Sequence, residues 1–215
     1  MTRPSKESYI ELQRALRYLK GTRELTLTVG GDTPIFLFAM TDSSFGIIDN
    51  CRSHQGCSIY LGAGAGCIQA SSKRSTTVSL SSSQAEADAT VECIKDVIWL
   101  QGFFGSMKID INKPTLVLID NLSVVNSSNG DSGIKQSRHY IIKLAYIKDQ
   151  IKLGTINIQH IDGVLNHSDI LTKGLTGHLL ERHTMGILGY NLLNKQDDVQ
   201  IPALSHEIYK DDELL

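Results

Sequence analysis

The spacing of hydrophobic residues changes period several times along the chain. From Lys6 to Lys20, Leu12, Ala15, Leu16 and Leu19 fall at i, i+3, i+4 and i+7, one face of a helix that Gly21-Thr22 ends. Leu25 to Val29 reads as a short strand leading into Gly30-Gly31. Pro34 to Asp42 is a short apolar run closed by an aspartate, and Cys57 to Leu61 and Cys67 to Ser71 are two further strands. The link Gly62-Ala63-Gly64-Ala65-Gly66 has the glycine content of a phosphate-binding loop, but no helix opens after it, so a hairpin turn is the expected structure. A long helix is expected from about Gln84 to Phe104, with Ala87, Val91, Ile94 and Ile98 as its buried stripe and Trp99 in the core. Thr115 to Asp120 is continuously apolar, as in a strand covered on both faces. Arg138 to Leu153 is a second strong helix, with Tyr140, Leu144, Ile147 and Ile151 on one face. The strand Thr155 to Ile161 follows, then a helix start over Ser168 to Lys173, and from about Asn194 a polar, acidic tail expected to be poorly ordered. Three strands, a helix, then alternating strands and helices predict an α/β fold. Its mixed five-stranded sheet has three antiparallel strands then two parallel ones, flanked by helices.

Composition narrows the class. The 215 residues are 41% hydrophobic and 20% charged, the balance of a globular protein. No apolar run approaches membrane-spanning length, and Met1 to Glu7 is too polar for a signal peptide, so the expected setting has no membrane and no secretion. The glycosylation-like triplets at Asn121, Asn126 and Asn166 carry little weight for that reason. Cys51, Cys57, Cys67 and Cys93 lack paired metal-ligand spacing, which predicts reduced thiols in a reducing compartment and no structural zinc. A net charge of −2 speaks against a stand-alone module that holds nucleic acid by phosphate contacts alone. It speaks less against a nuclease, whose own acids lower the charge.

Four acids sit where chemistry could use them. Asp42 closes the first strand, Glu86 lies in the first turn of the long helix, Asp120 closes the buried strand, and Asp169 starts the helix after the last strand. Hydrolysis of a phosphodiester with two hard cations needs several carboxylates converging on one point, held by strand ends and helix starts. Each acid also has a plain structural use. Ser83 to Glu86 reads as a capping box, Asp120-Asn121 as a turn, and Asp169 as an acid favoured at a helix N-terminus.

The surrounding motifs give a specific resemblance. TDSSFG at 41–46, IQASSKRSTTVSLSSSQAE at 68–86, IDN at 119–121, RHYIIKLAYI at 138–147 and NHSDILTK at 166–173 occur in order. Together they resemble the ribonuclease H domain of copia-type LTR retrotransposon Pol polyproteins, and ALRYLKGT at 15–22 is similar to the segment joining reverse transcriptase to that domain. The likeness runs from about Ala15 to Leu175. Three positions depart from the family pattern: Ala70 replaces a tryptophan, Gln84 the first glutamate of a TEAE motif, and Ala87 an aromatic residue.

The resemblance implies a ribonuclease H-like fold and cleavage of the RNA strand of RNA–DNA hybrids during reverse transcription. It makes Asp42, Glu86, Asp120 and Asp169 ligands of two Mg2+ ions, with Mn2+ able to substitute. Ser82, Ser83, Lys73, Arg74, Asn121, Arg138 and His139 would lie along the hybrid. It divides the chain into a reverse transcriptase connection over 1–33, a ribonuclease H-like domain over 34–176, and a helical then disordered piece over 177–215. The partners would be the hybrid and the reverse transcriptase part of the same polyprotein. The setting would be cytoplasmic, in the parent element's intracellular particle, and the chain a fragment or a decayed copy.

Among the histidines, His139, His160 and His167 each lie near the acids in sequence and none can be chosen, while His178 and His183 receive no role. Lys135, Arg138, Lys143, Lys148 and Lys152 read either as a solvated helix face or as part of a groove for the hybrid. Two rival functions share the fold: a catalytically degenerate or domesticated module that binds nucleic acid or a protein without cutting, and an integrase-like core that joins DNA ends. Integrases of this fold generally use three acids, where this sequence offers four.

Overall fold

The computed structural model describes residues 5–30, 35–48, 51–62, 64–130 and 137–190. Helix α1 (Lys6–Gly21) starts at Ser5, whose hydroxyl accepts from the Ser8 amide. Strands β1 (Phe36–Ile48), β2 (Arg52–Leu61) and β3 (Cys67–Arg74) are followed by helix α2 (Ser82–Ser106) and strand β4 (Asn112–Ile119). Then come the short helix α3 (Leu122–Asn129), helix α4 (Arg138–Lys152) and strand β5 (Ile156–His160). Two 3-10 turns, Gly163–Leu165 and His167–Leu171, precede helix α5 (Gly177–Leu188).

The five strands lie in the order β3-β2-β1-β4-β5. β1 pairs antiparallel with β2, and β2 with β3; β1–β4 and β4–β5 are parallel. The expected mixed sheet is therefore present. Its β2–β3 connection is the predicted hairpin, turned by Gly62 and Gly64 at φ values of 107° and 74°, a region a β-carbon disfavours.

Alternation along β1 divides the core between two faces. Leu37 and Ala39 face α2 and α4, packing with Ile94, Val97, Leu144 and Ile147. Phe36, Phe38 and Met40 point the other way, against Tyr60, Leu118 and Ile161. Phe38 and Tyr60 stack at a centroid distance of 4.7 Å. By the same alternation, the side chain at position 42 belongs to the second face, which the 3-10 turns and α5 cover.

Three expectations change. Leu25 to Val29 joins no strand of the sheet. It is clamped instead between the hairpin and the end of α5, where the Gly66 amide donates to Thr28 (2.6 Å) and the Thr28 amide to Leu188 (2.9 Å). Ile98 and Trp99 lie on the solvent side of α2, 37% and 62% exposed, where Trp99 stacks on Phe103. Ala87 and Ile94 of the predicted stripe are fully buried, and the rest of the buried face of α2 is carried by Ala89, Cys93, Val97, Leu100 and Phe104. α1 is a helix as predicted, yet none of its residues is buried. Lys135 and the tail from Asn194 lie outside the described residues.

Candidate metal centre

The two central strands set the site. The parallel ladder between β1 and β4 ends at Thr41 opposite Ile119. Asp42 and Asp120 are the next residues on each strand, so the two carboxylates leave the sheet side by side at its carboxyl end. Asp42 does not close β1, contrary to expectation. β2 goes on pairing past it, through Asp42–Gly56, Ser43–Gln55 and Ser44–His54, and so holds the backbone of β1 extended to Ile48.

Glu86 enters from α2. The helix is capped two residues earlier than the sequence suggests: Ser81 accepts from the Gln84 amide (3.2 Å), and the Gln84 side chain accepts from the Leu80 amide (3.0 Å). Gln84, a departure from the family pattern, therefore does the capping work. Glu86 is left to point inward, 5% exposed, with Oε1 accepting from the Ser43 amide at 3.1 Å. Its Oε2 is buried with no hydrogen-bond partner.

Asn121 separates two roles in a similar way. Its side-chain oxygen accepts from the amides of Ser123 and Val124 and starts α3, a helix that the apolar pattern does not reveal. The Asp120 carboxylate is thus not engaged in that cap.

Asp169 arrives on the second 3-10 turn, which buried side chains pin to β1. Asn166 donates to the Thr41 carbonyl (2.9 Å) and accepts from the Ser168 amide (3.2 Å). Ser168 donates to the Met40 carbonyl at 2.8 Å. The turn can approach this closely because Gly56 has no side chain: a β-carbon there would stand 2.9 Å from both Leu171 Cβ and the Ser168 carbonyl. The full burial of Asn166 also removes it as a glycosylation acceptor in the fold.

The result is convergence. Asp42, Asp120 and Asp169 each offer a carboxylate oxygen, and these lie within 4.8 Å of one another. Electrostatics registers the crowding. Burial, then the charges of Asp42 and Asp120, raise the Glu86 pKa to about 9. Burial, with Asp42 nearby, raises Asp169 to about 6, and burial followed by Asp42 lifts Asp120 as well. Three carboxylates with raised proton affinity, Asp42 beside them and one orphaned buried oxygen form a donor set suited to hard divalent cations, which would replace the protons.

Two residues that sequence reasoning passed over complete the centre. Lys173 reaches Asp169 Oδ1 (2.8 Å) and Asp42 Oδ1 (3.3 Å), and the Thr172 hydroxyl donates to Asp42 Oδ2. The Asp169–Lys173 spacing of i, i+4 was the available signal. Beside them opens a cleft of about 440 Å³ lined by Ser44, His54 and Ile170 to Gly174.

The residues assigned to the hybrid fall in separate places. Lys73 and Arg74 end β3, exposed, in register with Gln55 and His54 and hence in line with Ser43 and Ser44 of β1. Ser82 is exposed and Ser83 half-buried at the start of α2, and Arg138 and His139 are exposed at the start of α4. Lys143 does not belong to a solvated face, since it is ion-paired with the buried Asp88. Lys148 donates to the Gly130 carbonyl at 2.6 Å.

Of the histidines, His160 contacts the Asp120 carbonyl at 3.2 Å. His167 instead faces the buried His183 across 3.2 Å between Nδ1 atoms, where one ring must donate and the other accept. Burial, then His183, lowers the His167 pKa to about 4. That pair ties the Asp169 turn to α5, giving His183 a packing partner that its sequence spacing did not suggest.

No family model matches the sequence. Curated relatives do. The chain is 31% identical over 171 residues to the retrovirus-related Pol polyprotein of transposon TNT 1-94 from Nicotiana tabacum, covering 79% of this chain and 13% of that polyprotein. It is 25% identical over 177 residues to the Pol polyprotein of transposon RE2 from Arabidopsis thaliana, covering 82% and 12%. Among solved structures, LC11 ribonuclease H1, isolated from compost by a metagenomic approach, superposes with a TM-score of 0.50 at 20% identity, over 65% of this chain and 94% of that one. The N-terminal ribonuclease H domain of a Mycobacterium tuberculosis protein, solved as a fusion with maltose-binding protein, gives 0.51 at 13% identity, over 71% and 98%.

The chain is related to a segment of retrotransposon Pol polyproteins, and its fold is that of the solved ribonuclease H chains. It spans about an eighth of the polyproteins it matches and nearly the whole of the two solved ribonuclease H chains. The resemblance carried by the sequence motifs and the fold they implied are both upheld. No helix among the described residues is long and apolar enough to cross a membrane.

Proposed function

We propose that this Pol domain hydrolyses the RNA strand of RNA–DNA hybrids with two divalent ions, Mg2+ by preference, held by Asp42, Glu86, Asp120 and Asp169. The observation that carries the reading is the convergence of Asp42, Asp120 and Asp169 within 4.8 Å, joined by the buried, unpartnered Oε2 of Glu86. When bound, the ions supply a water nucleophile at neutral pH and neutralise charge on the leaving oxygen.

The protein's own part is to build and hold the pocket. Ser43 fixes one Glu86 oxygen and leaves the other facing inward. Asn166 and Ser168 lock the Asp169 turn onto β1, so that three carboxylates are already together before any ligand arrives. The cleft from Ser44 and His54 to Gly174 gives a nucleic-acid backbone access to one side of the acids. Lys73, Arg74, Ser82, Ser83, Asn121, Arg138 and His139 are the proposed backbone contacts, which position the duplex rather than read its sequence. Choice of the RNA strand would come from contacts with 2′-hydroxyls. Because the chain matches part of Pol polyproteins, the reverse transcriptase portion is its proposed partner, with residues 1–33 as connection, 34–176 as catalytic domain and 177–215 as an extension. The proposed setting is the cytoplasmic particle of the parent element.

The test is cleavage of a labelled RNA–DNA hybrid by purified protein with Mg2+, beside Asp120→Asn. RNA-strand cutting that disappears in the variant supports the reading. A folded protein that binds the hybrid but cuts nothing in Mg2+ or Mn2+ points to the degenerate binding module, and cutting of DNA alone to the integrase-like core.

A further inference from the structure

Lys173 stands among the acids rather than beside them. Its ammonium lies 2.8 Å from Asp169 Oδ1 and 3.3 Å from Asp42 Oδ1, and these two residues belong to the trio that could hold a metal. The second oxygen of Asp42 is taken by the Thr172 hydroxyl from the same short segment. A single turn of chain thus supplies Asp169, a hydroxyl for Asp42, and a positive charge spanning both carboxylates. Asp42 is 1% exposed in its side chain while Lys173 is 38% exposed, so the carboxylate is fixed and the cation has room to leave.

We propose that Lys173 is a built-in counter-cation that occupies the space between Asp42 and Asp169 in the metal-free protein, and that a divalent ion must displace it to bind there. The inference rests on the reading of these acids as metal ligands. Its physical basis is charge: carboxylates this close repel one another, and one mobile ammonium relieves part of that repulsion without closing the site. A divalent cation carries twice the charge and bonds several oxygens at once, so it wins the exchange. The four-carbon lysine stem can then swing into the adjoining cleft, whose lining already includes Lys173.

The experiment measures Mn2+ affinity by calorimetry and unfolding by thermal melt in chelator, on the full chain and on Lys173→Met, Lys173→Arg and Asp42→Asn. For Lys173→Met, Mn2+ should bind about tenfold more tightly, since a competing charge within about 4 Å is gone. The same variant should melt several degrees lower without metal and gain more on adding Mn2+. Lys173→Arg, which keeps the charge, should stay near the parent affinity. A purely structural lysine predicts the reverse, because a loosened site binds metal more weakly. Equal or weaker Mn2+ binding by Lys173→Met therefore overturns the proposal, and Lys173→Gln makes the same comparison should the methionine variant not fold. Asp42→Asn separates the two readings. If it removes Mn2+ binding and Lys173→Met fails to strengthen it, only the counter-cation idea falls. If it leaves binding untouched, the metal reading falls and takes the inference with it.

Discussion

Glu86 illustrates how one residue can be shaped against stability. Its carboxylate is buried, faces Asp42 and Asp120, and has a single amide donor, from Ser43, for its two oxygens. Burying such a group charged is costly, and the fold keeps it protonated near neutrality instead. Glu86→Gln should keep the Ser43 bond while removing the titrating carboxyl. The expected outcome is a metal-free protein more stable at pH 8 by on the order of a few kcal/mol, read from chemical denaturation. Hybrid cleavage should fall at least about a hundredfold in the same variant, as an interaction of the reacting centre is lost. A variant that is less stable at pH 8 and still cuts would refute both parts.

At the scale of elements, the decisive contact is the docking of the second 3-10 turn on β1. Asn166 is fully buried and bonds both Thr41 and Ser168. Asn166→Ala would leave the Thr41 carbonyl unsatisfied and should cost about 1–3 kcal/mol. Gly56→Ala acts on the same contact from the opposite side, since its β-carbon would press on Leu171 and the Ser168 carbonyl. Its expected cost is about 1–3 kcal/mol, with weaker metal binding because Asp169 is pushed off Asp42. Denaturant melts and calorimetry with Mn2+ check both variants. Loss of the α2 cap through Ser81→Ala should cost only about 1 kcal/mol, a contrast that separates helix stability from site assembly.

For the whole molecule, the raised pKa values link metal, protons and folding. Carboxyls with folded values above their unfolded ones keep protons in the native state that the unfolded chain has already released. Between the ordinary carboxylate range near 4 and the folded values, about 6 for Asp169 and about 9 for Glu86, the native state therefore binds more protons. Stability of the metal-free protein from this site is full below pH 4 and falls as pH rises toward 9. Divalent ions bound as proposed would replace those protons, so Mg2+ should raise the melting temperature more at pH 8 than at pH 6. At a concentration a hundred times Kd the gain is about 2.7 kcal/mol. Melts across pH with Mg2+ or chelator test this, and an Mg2+ effect equal at both values would count against the acids as ligands. The net charge of −2 fits the same picture, because hybrid affinity should depend on the ions as well as on Lys73, Arg74 and Arg138.

The five sheet strands and the helices α1, α2 and α4 were legible from periodicity because buried faces repeat at 2.0 or 3.6 residues, as in β1 or in α4 with Tyr140, Leu144 and Ile147, whereas the short α3 was not. The four acids were legible from motif order alone, since each taken singly has an equally good local use. Local geometry chose among those uses. Ser81 and Gln84 took the cap that Ser83 and Glu86 could have made, and Asn121 took the one beside Asp120. What only the tertiary structure decided is long-range: β2 carrying β1 past Asp42, Asn166 reaching Thr41 across the chain, Lys173 set between two acids, and Trp99 turned to solvent. Sequence periodicity reports which side of an element is apolar, and it carries no term for what another segment, far along the chain, brings against that side.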